Sequence, residues 1–287
     1  MPFKYSVFTV MMPEFEILES AALLKSLGYD GVEWRVHSVP SPFPDKPDFW
    51  RGNRSTIDSG SIVERAPEIR RISDDAGLEI IGLGTYLSYK MLDDVAKCME
   101  AACIMGCGSI RVSAPNYDGS VNYNDLYEEA VDGFAHIENL ARDFSVRANI
   151  EIHHGNMCPS ASLTYRLVSN FDPDFIGVIY DPGNMVCEGQ ENWQLGLELL
   201  GPYLSHVHVK NAAWIESGVT VEGGKRWKHT IVDTRHGIVD WAAVLLALDN
   251  VGYQGWLSFE DFAPGDTKTK LTNNINYLKA LVSRLGI

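Results

Sequence analysis

Four short stretches of this chain share one design, an alternating apolar run that closes on a group able to bind a metal. They are ANIEIHHGN (Ala148–Asn156), IGVIYDPGN (Ile176–Asn184), LSHVHVKN (Leu204–Asn211) and GWLSFEDF (Gly255–Phe262). Side chains alternate across a strand, so Ile150 and Ile152 share one face while Asn149, Glu151 and His153 share the other. The same parity sets Val178 and Tyr180 against Asp181. It sets Val207 and Val209 against His206, His208 and Lys210, and Leu257 and Phe259 against Glu260. If the apolar faces lie on an outer layer of helices, Glu151, Asp181, His208 and Glu260 converge inside a closed sheet as a four-ligand cage.

Eight strands can be placed, each followed by a helix. Tyr5–Met11 precedes a helix over Glu14–Leu27 that Gly28 closes. Gly31–His37 precedes Ile62–Ala76, where Pro67 puts the regular start near Ala66. Glu79–Tyr86 pairs with a helix over Leu92–Met105, and Ser109–Ala114 with an amphipathic helix over Asp125–Phe144. The four metal-bearing strands, at Ala148–Asn156, Ile176–Asp181, Leu204–Lys210 and Gly255–Asp261, lead to helices over Ser162–Ser169, Trp193–Leu200, Asp240–Leu248 and Leu271–Leu285. This alternation, without a linker, predicts an α/β chain folded as one (β/α)8 TIM barrel domain over residues 1–287. An open doubly wound sheet fits less well, because no glycine-rich phosphate loop follows the first strand. Barrel sites form at the C-terminal ends of strands, where all four candidate ligands fall.

Two long segments interrupt the pattern. Residues 38–60 carry four prolines among Phe43, Phe49, Trp50 and two arginines, which excludes a regular helix and suits a lid or binding loop. Residues 211–237 read as a second irregular loop, basic against an acidic background, with Lys225, Arg226, Lys228 and Arg235 beside His229 and His236. It reads either as a solvated loop or as a second lid that meets an oxygen-rich substrate.

Composition narrows the partners. A chain of 287 residues with 45% apolar content can bury a large core. Its net charge of -14 argues against nucleic acid or an anionic membrane, both of which draw affinity from Lys and Arg. The five cysteines include no CxxC pair, so they read as free thiols in a reducing compartment rather than a disulfide framework or thiolate zinc site. No leader pattern or membrane-spanning run is visible, and the expected location is the cytoplasm.

The segments GYDGVEW, NIEIHH, YDPGNMVCEG, SHVHVKN and GYQGWLSFEDF together resemble the xylose-isomerase-like barrels, which include sugar-phosphate isomerases, ketose 3-epimerases and inosose dehydratases. The resemblance covers almost the whole chain. It implies that Glu151, Asp181, His208 and Glu260 hold one divalent metal and, as in ketose epimerases, that Glu151 and Glu260 also move the proton. Two positions depart from the epimerase pattern. Asn184 stands where a histidine follows the aspartate by three, and Trp214 where an arginine follows the metal histidine by six. Lys210 resembles the dehydratase-like branch. A further branch of similar sequence cleaves oxidised C-glycosides by elimination with a small partner subunit, so either a homo-oligomer or such a subunit is compatible with the sequence.

Three carboxylates and one imidazole favour Mn²⁺, Mg²⁺ or Co²⁺, with Mn²⁺ first and Zn²⁺ left open. The expected substrate is a small carbohydrate, a keto sugar or related polyol. One of Glu151 and Glu260 would remove the proton beside the carbonyl to give an ene-diolate, and the other would return it, which is isomerisation or epimerisation. If a leaving group lies β to the carbonyl, the same start leads to a lyase, with His153 or Lys210 as acid. His37 and Tyr86 end strands at the mouth and are candidate substrate contacts, as is Lys210. His206 is expected in the interior and His154 pointing away. Arg35 and Arg111 face inward and should each find a carboxylate, Glu33 or a cage glutamate. An abasic-site endonuclease would need more histidines and a basic face, and a non-catalytic sugar-binding barrel gives no reason for two glutamates on a metal.

Overall fold

The computed structural model describes residues 3–287. In chain order the strands are β1 (Lys4–Phe8), β2 (Gly31–His37), β3 (Ile57–Asp58), β4 (Glu79–Thr85), β5 (Ser109–Arg111), β6 (Arg147–Glu151), β7 (Ile176–Tyr180), β8 (Leu204–Val209), β9 (Asn211–Val219), β10 (Lys225–Val232) and β11 (Trp256–Phe259). The helices are α1 (Ile17–Ser26), α2 (Ile62–Ala76), α3 (Leu92–Met105), α4 (Tyr123–Phe144), α5 (Ala161–Val168), α6 (Pro182–Cys187), α7 (Trp193–Leu200), α8 (Trp241–Asn250) and α9 (Thr267–Leu285). Eight strands pair in parallel in the order β1-β2-β4-β5-β6-β7-β8-β11, and β11 returns to β1. The barrel predicted from the strand-helix alternation is therefore closed.

The parity read from the sequence explains the layers. Ile150, Val178, Tyr180, Val207, Val209, Leu257 and Phe259 are all buried in the shell shared with the helices. The polar set of each strand points inward, where Glu33, Arg111, Glu151, His208 and Ser258 touch one another across the barrel. Phe8 from β1 reaches into this interior, with its ring 5.8 Å from that of His208 and 5.3 Å from the Arg111 guanidinium carbon. It lies over Gly84, where any Cβ would collide with the ring.

Several boundaries differ from expectation. β1 stops at Phe8 and passes into a single 3-10 turn over Thr9–Met11. α2 runs unbroken from Ile62 through Pro67, forgoing one backbone hydrogen bond at the proline. The segment 38–60 is irregular except for β3, which adds to the edge of β2 beside Val36 and His37. Residues 211–237 are not a loop. β9 and β10 form an antiparallel hairpin of their own, with Trp214 opposite His229 and a bulge between Arg226 and Trp227. The turn residues Gly223 and Gly224 close it, and the alternating Ile, Val, Thr and Trp on both sides supply the strand propensity. Among the described residues no helix is long and apolar enough to cross a membrane.

Candidate metal centre

Glu151 ends β6, Asp181 follows β7, His208 lies on β8 and Glu260 follows β11. Each offers one ligand atom, and those atoms all lie within 4.8 Å of one another with every residue buried. His208 Nδ1 is 3.1 Å from Glu151 Oε1, 3.7 Å from Asp181 Oδ2 and 3.8 Å from Glu260 Oε2. The structure thus brings together all four ligands predicted from strand parity. Three carboxylates and one imidazole converging on one point suit a divalent cation, so the donor set fits the expected metal.

Asp181 serves two purposes. It is the N-cap of α6, where Oδ1 accepts from the Asn184 backbone N–H at 2.8 Å. Its Oδ2 faces the cluster. The Asp-Pro pair, which from sequence could mean no more than a turn, starts a helix and presents a candidate ligand together. Gly183 lets that helix approach closely, since a Cβ there would stand 2.7 Å from Lys210 Cγ.

Two cations compensate the carboxylates. Arg111 donates from Nη1 to Glu151 Oε2 at 2.5 Å, and from Nε to the Thr85 carbonyl. Lys210 Nζ is 2.8 Å from Asp181 Oδ2 and 2.5 Å from Glu260 Oε2. Burial raises the Glu151 carboxyl, but Arg111 and His208 outweigh that effect and hold it well below the usual carboxylate range. Burial also raises the Glu260 carboxyl. Lys210 opposes the rise and Glu151 adds to it, and the carboxyl stands above its ordinary value. Burial lowers His208, yet Glu33 and the cluster carboxylates lift it well above the ordinary imidazole range, so that a metal on Nδ1 would take the place of a proton.

Glu33 is a further buried carboxylate beside the cluster, in a place the sequence does not show. It accepts from His208 Nε2 at 3.1 Å and Ser258 Oγ at 2.8 Å, which leaves Nδ1 facing the carboxylates. His206 is buried beside it, with Nε2 at 3.4 Å from the same oxygen and no hydrogen-bond geometry. Arg111 meets a cage glutamate as expected, but Arg35 does not. Its guanidinium donates to Thr56 Oγ1, the Trp50 carbonyl and Tyr86 Oη, all neutral, so its work is to tie the 38–60 segment to β2.

A cavity of about 320 Å³ opens beside Glu151, and Trp50, Tyr86, Arg111, Asn116, His153 and Asn156 help to line it. Trp50 and Phe49 both pack on Phe262, so the aromatic loop is pinned and also covers the cavity. Phe43 instead lines a separate groove with Ile17 and Arg65. His37 lies in a neighbouring cavity of about 440 Å³ that shares Tyr86 as its wall. Lys210, expected at the substrate, turns onto Asp181 and Glu260. His154, expected to point away, bonds Asn184 and stacks on His153.

Residues 21–281 match the family described as xylose isomerase-like TIM barrel. The chain belongs to this family. Within it, the chain is similar to an inosose dehydratase of Geobacillus thermodenitrificans, with 26% identity over 235 residues that make up 73% of this chain and 75% of that one. Its fold is that of the E. coli 3-keto-D-glucoside 4-epimerase, with a TM-score of 0.71, 17% identity and coverage of 97% of this chain and 99% of that one. It is also that of the IOLI protein with a bound zinc atom, with a TM-score of 0.73, 15% identity and 99% of each chain covered. These two structural likenesses carry the barrel fold and nothing finer.

Proposed function

We propose that this protein is a divalent-metal-dependent sugar isomerase or epimerase acting on a keto sugar or related polyol. The observation that carries this reading is the convergence of Glu151, Asp181, His208 and Glu260 beside a cavity of single-ring scale that mixes apolar surface with a few polar groups. When bound, the ion supplies Lewis-acid polarisation of the substrate carbonyl, which makes the adjacent C–H more acidic. Three carboxylates and an imidazole rank Mn²⁺ first, ahead of Mg²⁺, Co²⁺ or Zn²⁺.

Glu151 and Glu260 come from strands three places apart in the ring, β6 and β11, so their oxygens approach a shared ligand from different directions. In this reading one of them takes the proton beside the carbonyl and the other delivers a proton to the opposite face or the adjacent carbon. Arg111 occupies Glu151 Oε2 and leaves Oε1 to the centre. Trp50 offers apolar surface to sugar C–H groups, and Asn116 and Asn156 offer amides to hydroxyls, while the Tyr86 ring is taken up by the Arg35 and Arg111 guanidinium groups stacked on it.

A second reading is β-elimination, favoured by His153 and by the similarity to a dehydratase. His153 lies at the cavity with Nδ1 only 2.6 Å from the His154 carbonyl, so Nδ1 carries the proton of that bond and Nε2 is left to exchange a proton with a leaving group. Incubation of the Mn²⁺-loaded protein with a panel of keto sugars and inososes in deuterated water, followed by NMR, tests both readings. Deuterium at the carbon next to the carbonyl with no change in mass balance supports isomerisation or epimerisation. Appearance of a dehydrated, unsaturated product supports elimination, and no exchange with any member of the panel defeats both.

A further inference from the structure

Asn184 lies deep beside the proposed ligands and is completely buried on α6. Its Nδ2 donates to Asp181 Oδ2 at 2.8 Å and lies 3.3 Å from Glu151 Oε1, with the Ile152 carbonyl at 3.1 Å. Asp181 Oδ2 and Glu151 Oε1 are the same two oxygens that face His208 Nδ1. One amide therefore grips both oxygens that would have to meet a common cation.

The orientation of that amide is dictated by its neighbours. Turned over, it would set Oδ1 against two carboxylate oxygens and a carbonyl. With Nδ2 toward the carboxylates, Oδ1 accepts from His154 Nδ1 at 3.0 Å, which fixes the His154 tautomer as Nδ1–H. His154 is held in turn by a file of rings, 4.5 Å from His153 and 4.9 Å from His229 on the hairpin. The file ends at Trp214, whose Nε1 donates to the Val186 carbonyl of the same α6 that carries Asn184.

We propose that Asn184 is a positioning residue that sets the separation and direction of Glu151 Oε1 and Asp181 Oδ2, and that His154 holds Asn184 in the orientation this requires. Neither residue touches the reacting atoms. The inference rests on the metal-centre reading of the cluster, and the two can fail separately.

The test titrates the full-length protein with Mn²⁺ by calorimetry and records the electron paramagnetic resonance spectrum of the bound ion. Wild type, Asn184→Ala, His154→Phe and the double variant are compared, with thermal unfolding of each metal-free protein. His154→Phe keeps the ring stack and removes only the donor. Asn184→Ala is expected to weaken Mn²⁺ binding roughly 10–100-fold and to change the spectrum, as removal of outer-shell partners does elsewhere. His154→Phe should have a smaller effect in the same direction, and the double variant should bind no more weakly than Asn184→Ala alone. A merely structural role would lower the melting temperature and leave the spectrum of bound Mn²⁺ unchanged. Wild type that binds none of Mn²⁺, Mg²⁺, Co²⁺ and Zn²⁺ by calorimetry overturns the metal-centre reading and this inference with it. Wild type that binds, with Asn184→Ala within twofold or with additive losses in the double variant, overturns the positioning role alone. If Asn184→Ala does not fold, an unchanged affinity and spectrum in His154→Phe overturns it.

Discussion

Replacing Lys210 with methionine removes the ammonium that lies between Asp181 Oδ2 and Glu260 Oε2 and keeps most of the stem that packs there. Lysine and both carboxylates are at most 5% exposed, so water cannot substitute for the lost charge. The cheapest response is uptake of a proton, and Glu260 is the group already raised by burial and by Glu151. Protonating a glutamate of ordinary pKa near 4.3 costs about 1.4 kcal/mol per pH unit, which gives roughly 3–4 kcal/mol at pH 7 and about 1 kcal/mol at pH 5. The sign follows from linkage: a carboxyl raised on folding favours the folded state at low pH, and that support is lost as pH rises above its unfolded value. Lysine itself adds no pH dependence in this window. Its folded value is raised, by Asp181 and Glu260 against the effect of burial, so its contribution is intact below the ordinary lysine range. At roughly 2 °C per kcal/mol for a chain of this size, Lys210→Met should melt about 6–8 °C below wild type at pH 7 in a chelator and about 2 °C below at pH 5. Saturating Mn²⁺ should close most of the gap, because its charge replaces the ammonium. Differential scanning calorimetry reads all three conditions. Equal melting at pH 7 in the chelator, or a deficit that ignores both pH and Mn²⁺, would refute the reasoning.

Glu260→Gln should lose turnover by at least about 100-fold while retaining part of its Mn²⁺ affinity; near-normal turnover removes Glu260 from proton transfer. Burial pushes the Cys98, Cys107 and Cys158 thiols up to about 12 and Cys187 up to about 11, whereas Cys103 is exposed. One thiol should therefore react rapidly with Ellman's reagent at pH 8, and none in Cys103→Ser; two or more fast thiols in the native protein would contradict the burial. His37 lies across Tyr86 from the metal-side cavity, so His37→Ala should leave kcat/KM for a single-ring substrate unchanged and lower it for one carrying a second ring. An equal loss on both would place His37 at the reacting sugar instead.

What the sequence revealed and what it hid divide along one physical line. Strand parity is local: two residues of spacing decide which face a side chain takes. Four separate stretches therefore announced Glu151, Asp181, His208 and Glu260 without any knowledge of the fold. The partners of those residues are set by closure of the barrel. Glu33 was visible as an inward carboxylate on β2, and an arginine was the natural partner to expect. Yet β2 and β8 stand three places apart in the closed ring, and Glu33 meets His208 and Ser258 while Arg35 is left to neutral acceptors. Phe8 could not be placed either, since its inward reach depends on Gly84 of another strand. The hairpin over β9 and β10 is hidden for a different reason. Its strand signal lies in the alternation around Gly223 and Gly224, but Lys225, Arg226, Lys228 and Arg235 interrupt the apolar period there. The difference bears on function, because an irregular basic loop would lie in solvent, whereas a hairpin is stiff enough to hold His229 against His154 and thereby bring a segment distant in sequence within reach of the proposed metal ligands.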